Sequence, residues 1–275
     1  YTEMDANSQA NMQQTYENSY LFPTSESDGS TAQSASVALD PSTGAVRGLV
    51  GRVGGTGDTT FRNFNYATQG KRSPGSTIKP LVVYAPALAS GWSINKDLPN
   101  TPIDYNGYTP TNYGGIETDD VPMYQALANS YNIPAVYLFN QIGIQKGISY
   151  GQKFGLNFDN VPEELGIALG GGVTASPLQM AQAYATFANG GEMNTAYFIT
   201  KIENASGDII ATHSKKSKRI ISQSVANQMT SMMLGTFSNG SAVNANYTGY
   251  TMAGKTGTAQ QSEIHPDHVL FVGFA

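Results

Sequence analysis

The sequence contains no cysteine, so thiol nucleophiles, thiolate metal sites and disulfides are all excluded. Charged residues are also scarce: they make up 13% of the 275 residues, about half of their usual share in globular proteins. The net charge of −5 argues against a nucleic-acid partner, because such a partner requires a basic surface. The one basic run, at residues 215–219, is interpreted as a solvated loop beside a strand.

Long apolar runs are absent too. No segment has the length of a membrane span, and the first residues do not form a signal peptide. The three histidines form no His-Glu-x-x-His pattern, which would indicate a zinc hydrolase. His265 and His268 flank a Pro-Asp dipeptide, which we interpret as a polar turn between two strands and not as a metal site. We therefore expect neither a metal nor a cofactor.

The strand-like stretches of the sequence come in pairs. Residues 1–33 precede them, end in a polar cluster at 24–31, and predict a linker with one short helix. Three pairs of apolar or alternating runs then predict two hairpins and a closing strand pair. These pairs are 35–39 with 45–50, 197–203 with 209–211, and 248–258 with 269–274.

Helical patterns occupy most of the remaining chain. Residues 81–89 are continuously apolar and predict a buried helix. Proline is tolerated mainly in the first turn of a helix, so Pro80 indicates that this helix begins near Ser76. Residues 122–190 predict further helical stretches separated by glycines. Their ranges are 124–130, 135–141 and 177–189, and one more amphipathic helix is predicted by the core positions Val225, Met229, Met232 and Met233.

Three short motifs indicate the chemistry of this chain. Ser76-Thr-Ile-Lys79, Ser130-Tyr-Asn132 and Lys255-Thr-Gly257 each occur once, in this order and far apart. Alone, each motif would more often be a helix start, a helix end or a turn. Together they predict a serine acyl-transfer site that the fold assembles from distant segments.

The residue types fit that chemistry. A serine hydroxyl needs a base, and Lys79 lies three residues after Ser76, where Cβ atoms on a helix are about 5–6 Å apart. A lysine acts as a base only when neutral, so its pKa must be lowered by burial or by a neighbouring cation such as Lys255. Lys255 and the hydroxyls of Thr256 and Thr258 suit a substrate carboxylate. Gly257 has no side chain and lets another backbone lie close.

This set of motifs is known from penicillin-binding proteins and class A β-lactamases, and the flanking residues resemble the former. Residues 72–80, 126–135 and 254–259 are similar to the transpeptidase domain of penicillin-binding proteins, most of all to the bifunctional class A members. Similar stretches at 38–44, 169–172 and 176–190 extend the resemblance over most of the chain.

The resemblance implies an α/β fold with a mainly antiparallel sheet, flanked by helices, and an inserted all-helical subdomain. Its transpeptidase domain would span residues 34–275. Within it, 34–80 and 191–275 would form the sheet subdomain and 81–190 the mainly helical subdomain. Residues 1–33 would be a linker that follows a glycosyltransferase domain and a membrane anchor. The chain would thus act at the extracytoplasmic face of the bacterial cell membrane, reaching the membrane only through that anchor.

The same resemblance implies roles for individual residues. Ser76 would attack peptidoglycan stem peptides that end in D-Ala-D-Ala, and β-lactams would be covalent inhibitors at the same serine. Ser130 would pass a proton to the leaving amine, and Asn132 would hold a substrate carbonyl or Lys79. The oxyanion hole would consist of the backbone N–H groups of Ser76 and Thr258.

Two alternatives share these motifs, a serine β-lactamase and a β-lactam sensor domain. A β-lactamase needs a deacylating base, typically a glutamate followed closely by an asparagine. The nearest candidate, Glu163-Glu-Leu-Gly166, lacks that asparagine and is therefore discounted. We expect a transpeptidase or carboxypeptidase instead.

The resemblance also concerns the last strand. Related domains have a five-stranded sheet in which a final strand bridges the first hairpin and the Lys-Thr-Gly hairpin. This sequence ends at residues 271–275, where the fourth strand would finish. We therefore expect the bridging strand to be missing, with unpaired edges at 35–39 and 269–274.

Overall fold

The structure, a computed structural model, describes residues 1–25, 28–54, 63–259 and 268–275. Seven α-helices lie in these ranges: α1 Ala6–Glu17, α2 Ala85–Ala89, α3 Met123–Ala128, α4 Asn132–Ile142, α5 Ile144–Lys153, α6 Pro177–Ala188 and α7 Gln223–Ser238. Short 3₁₀ turns occur at Ser19–Leu21, Gly75–Ile78, Tyr113–Gly115, Leu165–Leu169 and Val243–Ala245, and a π-helical turn at Pro80–Tyr84. None of the described helices is both long and apolar enough to cross a membrane.

Ten short strands form five two-stranded ladders in the described part of the chain. They are β1 Ser36–Leu39, β2 Val46–Val50, β3 Asp97–Leu98, β4 Val121–Pro122, β5 Glu192–Asn194, β6 Lys201–Glu203, β7 Ile209–Thr212, β8 Ser217–Arg219, β9 Ala253–Ala259 and β10 His268–Phe274. The pairs β1–β2, β3–β4, β6–β7 and β9–β10 are antiparallel, and β5 pairs with β8. The structure thus mixes helices with antiparallel strands, as the sequence predicts.

The chain divides into two compact units. The first consists of residues 1–71, 176–185 and 193–218, and the second of 72–175, 186–192 and 219–275. The predicted division into a sheet subdomain and a helical subdomain groups the residues differently and stays a prediction.

In the first unit, α1 lies on the β1–β2 hairpin. The Gln9 amide makes two hydrogen bonds with the backbone of Leu49: its Nε2 donates to the Leu49 oxygen (3.0 Å), and its Oε1 accepts from the Leu49 N–H (2.8 Å). Arg47, on the same strand, forms ion pairs with Glu3 (2.9 Å) and Asp40 (3.0 Å). The predicted short helix near the N-terminus is present. Through Gln9 it forms hydrogen bonds with the backbone N–H and oxygen of Leu49 in β2.

Several predicted boundaries in the strands need correction. The second hairpin begins at Lys201 and not at residue 197, because Tyr197 instead bridges Ala45 in a parallel arrangement. The closing pair begins at Ala253 and not at residue 248. The predicted turn at 265–268 and the predicted loop at 24–31 lie partly outside the described residues.

In the second unit, the predicted buried helix begins at Gly75 and reaches Ala89 through a 3₁₀ turn, a π-helical turn and α2. Residues 81–87 of this segment are fully buried or nearly so, which explains the apolar run. The predicted core positions of α7 are buried as well. The ring of Phe237 in α7 packs edge-on against the ring of Phe271 in β10, with 5.7 Å between the ring centroids.

The sequence did not predict α5. Gly147 and Gly151 lie inside it, and in a sequence such glycines usually indicate that a helix is interrupted. In the structure they lie on its packed face, since a Cβ at Gly147 would overlap Phe139 and a Cβ at Gly151 would lie 2.5 Å from Phe158. These glycines therefore permit close packing and do not end the helix.

Candidate active site

Ser76 lies in the first turn of the buried helical segment and is half-buried. Gly75 before it has φ +50°, a conformation that glycine adopts without strain. After it, Thr77 donates both its backbone N–H (3.1 Å) and its hydroxyl (2.6 Å) to the oxygen of Pro74. These bonds hold the tight turn that presents Ser76.

The strand β9 passes directly against this turn. A Cβ added to Gly257 would lie 2.7 Å from Cγ2 of Thr77 and 2.8 Å from the oxygen of Pro74. A Cβ added to Gly75 would overlap the carbonyl of Thr258. The predicted need for a glycine at 257 is thus explained, and the backbones of Ser76 and Thr258 lie on adjoining segments. Their use as oxyanion donors stays a prediction.

A third backbone segment, which follows the 3₁₀ turn at Leu165–Leu169, packs against the turn that contains Ser76. The 3₁₀ turn ends at Gly170, which has φ +94°. A Cβ added to Gly170 would lie 2.7 Å from the Gly75 nitrogen, and the Ser73 hydroxyl donates to the Gly170 oxygen at 3.1 Å. Residues 169–172 were singled out in the sequence only by resemblance, and packing against the serine turn accounts for the glycine at 170.

Lys79 is fully buried and binds the second motif. Its Nζ donates to the backbone oxygens of Ser130 (2.7 Å) and Tyr131 (3.1 Å), and to Oδ1 of Asn132 (2.7 Å). A longer hydrogen bond reaches the Ser130 hydroxyl at 3.4 Å. Every side-chain hydrogen bond of Lys79 in the described residues therefore goes to Ser130, Tyr131 or Asn132, at the junction between α3 and α4.

Ser130 has an unusual backbone conformation for a residue with a side chain. Its φ is +60°, in the left-handed region, which costs about 1–3 kcal/mol outside glycine. The bonds from Ser130 N to Leu127 O and from Tyr131 N to Ala126 O, both 3.0 Å, hold it there. The strained residue turns the chain so that its carbonyl and hydroxyl both face Lys79.

Lys255 is the second fully buried lysine, and its Nζ donates to the Thr256 oxygen at 3.0 Å. Burial lowers the pKa of Lys255 to about 7. The pKa of Lys79 is held well below its usual range, first by burial and then by the charge of Lys255. The predicted effect of the neighbouring cation on the pKa of Lys79 is confirmed.

The two threonines of the third motif lie two residues apart on β9, and alternate residues of a strand face the same side. Thr258 is exposed. The Thr256 hydroxyl shares a 2.6 Å hydrogen bond with the hydroxyl of Ser241. Sequence reasoning missed Ser241, because a serine in the polar loop after α7 has no distinguishing pattern.

Both ends of the Asn132 side-chain amide form hydrogen bonds within the protein. Its Oδ1 accepts from Lys79, and its Nδ2 donates to the oxygen of Thr111 at 2.8 Å. Of the two predicted roles for Asn132, the structure shows the contact with Lys79. Its backbone N–H donates to Oδ1 of Asn112 (2.7 Å), a residue that sequence reasoning also missed. Residues 109–115 have the composition of a turn, and nothing in it distinguishes a buried asparagine.

Acidic groups take no part in this network. Among the described residues, no carboxylate or imidazole forms a hydrogen bond with Ser76, Lys79, Ser130, Asn132 or Lys255. The discounted Glu163 and Glu164 are both exposed to solvent. A lysine can therefore serve as the base of this site, and no carboxylate of the described residues joins its hydrogen bonds as a second base.

Known proteins are similar to this chain in sequence. A family model of the penicillin binding protein transpeptidase domain matches residues 34–275. Penicillin-binding protein 2a of Streptococcus pneumoniae is 59% identical over 261 residues, which cover 94% of this chain and 36% of that protein. Penicillin-binding protein 1F of Bacillus subtilis is 36% identical over 241 residues, which cover 85% of this chain and 32% of that protein. The chain thus spans about a third of the length of these curated relatives.

Solved structures show the same likeness. Penicillin-binding protein 1A from Haemophilus influenzae superposes with a TM-score of 0.78 and 25% identity, over 90% of this chain and 43% of that chain. Penicillin-binding protein A from Mycobacterium tuberculosis, as an imipenem acyl-enzyme complex, gives a TM-score of 0.81 at 23% identity, over 99% of this chain and 71% of that chain. The predicted fold class is confirmed by these structures. With a family model that matches most of its length, this chain belongs to the penicillin-binding protein transpeptidase domain family.

Proposed function

We propose that this chain is a D-alanyl-D-alanine transpeptidase domain that cross-links peptidoglycan stem peptides through an acyl-serine intermediate. The observation that carries the proposal is the buried Lys79. Its amine is surrounded by oxygens of residues 130–132, and both burial and Lys255 lower its pKa. A buried lysine with a lowered pKa is a base suited to activating a serine hydroxyl.

The first half-reaction forms the acyl-enzyme. Ser76 Oγ attacks the carbonyl of the penultimate D-Ala while its proton passes to neutral Lys79. The C–N bond to the terminal D-Ala then breaks, and the leaving nitrogen takes a proton through the Ser130 hydroxyl, which lies 3.4 Å from Lys79 Nζ. Terminal D-Ala leaves as an amine, and the stem peptide remains as an ester on Ser76.

The second half-reaction resolves the ester. An amine of a neighbouring stem peptide attacks the ester carbonyl and loses a proton to Lys79. The bond to Ser76 Oγ breaks, and the serine regains its proton. A new amide joins the two stems, so the reaction needs no cofactor and no metal.

Two further groups support the transition state and the substrate. We assign the backbone N–H groups of Ser76 and Thr258 to the oxyanion, because Gly75 and Gly257 bring their segments into contact. Each such donor contributes about 3–4 kcal/mol to lowering a barrier of this kind. Lys255, with the hydroxyls of Thr256 and Thr258, would hold the terminal carboxylate of the stem peptide.

The names of the relatives support a second part of the proposal, that β-lactams acylate Ser76. The Mycobacterium tuberculosis protein of the same fold is described as an imipenem acyl-enzyme. Since no carboxylate in the described residues joins the hydrogen bonds of the site, the adduct should deacylate slowly. Because stem peptides lie outside the cytoplasm, we place the activity at the extracytoplasmic face of the bacterial cell membrane.

One experiment with two arms tests this function. The first incubates the chain with a stem peptide ending in D-Ala-D-Ala and an acceptor amine, and measures released D-Ala and the new amide by mass spectrometry. The second follows the intact mass of a penicillin adduct over time. The proposal predicts D-Ala release and an adduct that persists for many minutes. Rapid penicillin turnover with recovery of free enzyme, and no D-Ala release, would favour a β-lactamase.

A further inference from the structure

The side-chain amine of Lys79 takes its hydrogen-bond acceptors from three residues. These acceptors belong to Ser130, Tyr131 and Asn132, at the junction between α3 and α4. A small displacement of this junction would change every polar contact of the proposed base. Whatever fixes the start of α4 therefore fixes the base.

The start of α4 is not held by its own cap. The first N–H groups of a helix have no partner within the helix and need an outside acceptor. The cap residue, Tyr131, forms no side-chain capping bond. Instead, Oδ1 of Asn112 accepts from the N–H of Asn132 (2.7 Å) and from that of Ile133 (3.1 Å). A residue 20 positions earlier thus acts as the cap of α4.

Asn112 is itself fixed in one orientation. Its Nδ2 donates to Oδ1 of Asn100 (2.8 Å) and to the oxygen of Ile116 (2.7 Å). Asn100 is fully buried, and its own Nδ2 donates to the Thr118 hydroxyl at 2.8 Å. Asn112 is 5% exposed, so its amide meets donors on one side and acceptors on the other. A rotated amide would place NH₂ against two N–H groups and lose all four bonds.

The neighbouring residue fixes the side chain of Asn132. The oxygen of Thr111 accepts from Asn132 Nδ2 at 2.8 Å, which leaves Asn132 Oδ1 directed to Lys79 Nζ at 2.7 Å. Residues 111 and 112 therefore hold both the backbone and the amide of Asn132.

We infer that Asn112, oriented by Asn100, is a positioning residue for acyl transfer: it caps α4 from outside and thereby holds residues 130–132 around Lys79. This role rests on the proposed function. Asn112 contacts neither substrate nor Ser76 in this account, and it acts only through the junction.

The test uses a fluorescent penicillin and the variant Asn112→Ala. The acylation rate constant at saturating probe should fall about 100-fold, as expected when reacting groups are misplaced by about 1 Å. Noncovalent affinity for the probe should change little, because Lys255 and the β9 threonines are untouched. The pH midpoint of acylation should move to lower pH, because a protonated lysine that loses its acceptors is less stable.

Two variants separate positioning from general stability. Asn194→Ala removes another buried asparagine, whose Nδ2 donates to the Pro41 oxygen at 2.8 Å in the first unit. It should lower stability but keep the wild-type acylation rate and pH midpoint. Asn100→Ala keeps Asn112 but removes an acceptor that orients its amide. It should slow acylation less than Asn112→Ala does and move the pH midpoint in the same direction.

Each outcome decides the inference. Acylation of Asn112→Ala at the wild-type rate would overturn it, and so would an Asn100→Ala variant with the wild-type rate and pH midpoint. A slow Asn112→Ala with an unchanged pH midpoint would also overturn it. If Asn112→Ala does not fold, Asn100→Ala decides: slower acylation with the same pH shift supports the role, and wild-type behaviour contradicts it. A wild-type protein without any adduct on Ser76 would instead contradict the proposed function.

Discussion

Two buried lysines dominate the chemistry at the scale of single residues. Lys79 and Lys255 are both fully buried, and each has a lowered pKa. Their proposed tasks need opposite protonation states, since a base must be neutral and a carboxylate holder must be charged. Burial lowers the pKa of both lysines, and repulsion between their ammonium groups favours the state in which one is neutral while the other is charged.

This division of tasks predicts the pH dependence of acylation. For a penicillin with a free carboxylate, the rate should rise as Lys79 loses its proton and fall above pH about 7 as Lys255 loses its own. Lys255→Met should abolish the falling limb. It should also move the rising limb to higher pH, because the cation that lowers the pKa of Lys79 is gone. Stopped-flow acylation across pH measures both limbs.

An esterified penicillin provides the control for that prediction. It has no carboxylate to hold, so its acylation by the wild-type protein should lack the falling limb, and Lys255→Met should slow it less. A rising limb that stays in place in Lys255→Met would show that Lys255 does not act on Lys79. Equal losses toward carboxylate and ester would argue against the anion role.

The buried Lys255 should also reduce the stability of the fold. In the unfolded chain the pKa of a lysine is about 10.4, whereas in the folded chain that of Lys255 is about 7. Between these values the unfolded state binds more protons, so stability rises with pH. Below pH about 7 both states are protonated and the cost of burying the charge is complete.

Lys255→Met should therefore raise the free energy of unfolding most at pH below about 7, and its advantage should shrink as the pH rises toward about 10. Urea denaturation at several pH values measures this difference. Lys96→Met removes an exposed lysine of the same unit and should give no such trend. An advantage of Lys255→Met that grows with pH would contradict the lowered pKa.

At the scale of elements, the site depends on how closely β9 approaches the start of the buried helix. That approach is possible only because residues 75 and 257 lack side chains. Gly257→Ala should therefore push Thr258 away from the serine turn and slow acylation about 100-fold, as expected for a displacement of about 1 Å. The acylation rate and the circular dichroism spectrum together distinguish this effect from unfolding.

Gly166→Ala is the matched control, because a Cβ added at Gly166 meets nothing within 4 Å. It should keep the wild-type acylation rate. If Gly257→Ala acylates as fast as Gly166→Ala, then the contact between β9 and the serine turn does not set the geometry of the oxyanion donors.

Elements also show where sequence reasoning succeeds and where it fails. Apolar periodicity located α7, and two apolar runs joined by a turn located the first hairpin, because in both cases the structure follows the local pattern. It failed at α5, where Gly147 and Gly151 resemble breakers. Their packing against Phe139 and Phe158 is decided by tertiary contacts that the local sequence does not encode.

At the scale of the whole molecule, the order of three widely spaced motifs was enough to predict which side chains meet. Lys79 indeed contacts Ser130 and Asn132, and β9 brings Lys255 to the same site. The supporting residues could not be predicted, because an asparagine such as Asn112 becomes distinctive only when the fold buries it against the start of α4. Motifs thus revealed the groups that react, and not those that position them.

If Ser76 is the nucleophile of an acyl-transfer site, a penicillin must label it and no other residue, and one labelling measurement tests this directly. The protein is treated with a fluorescent penicillin, digested, and the labelled peptide identified by mass spectrometry, with Ser76→Ala alongside and Ser90→Ala, at the end of α2, as the control serine. The account predicts a single covalent adduct on the peptide that contains Ser76 in the wild-type and Ser90→Ala proteins, and none in Ser76→Ala. An adduct that survives in Ser76→Ala, or that maps to another serine, would contradict it.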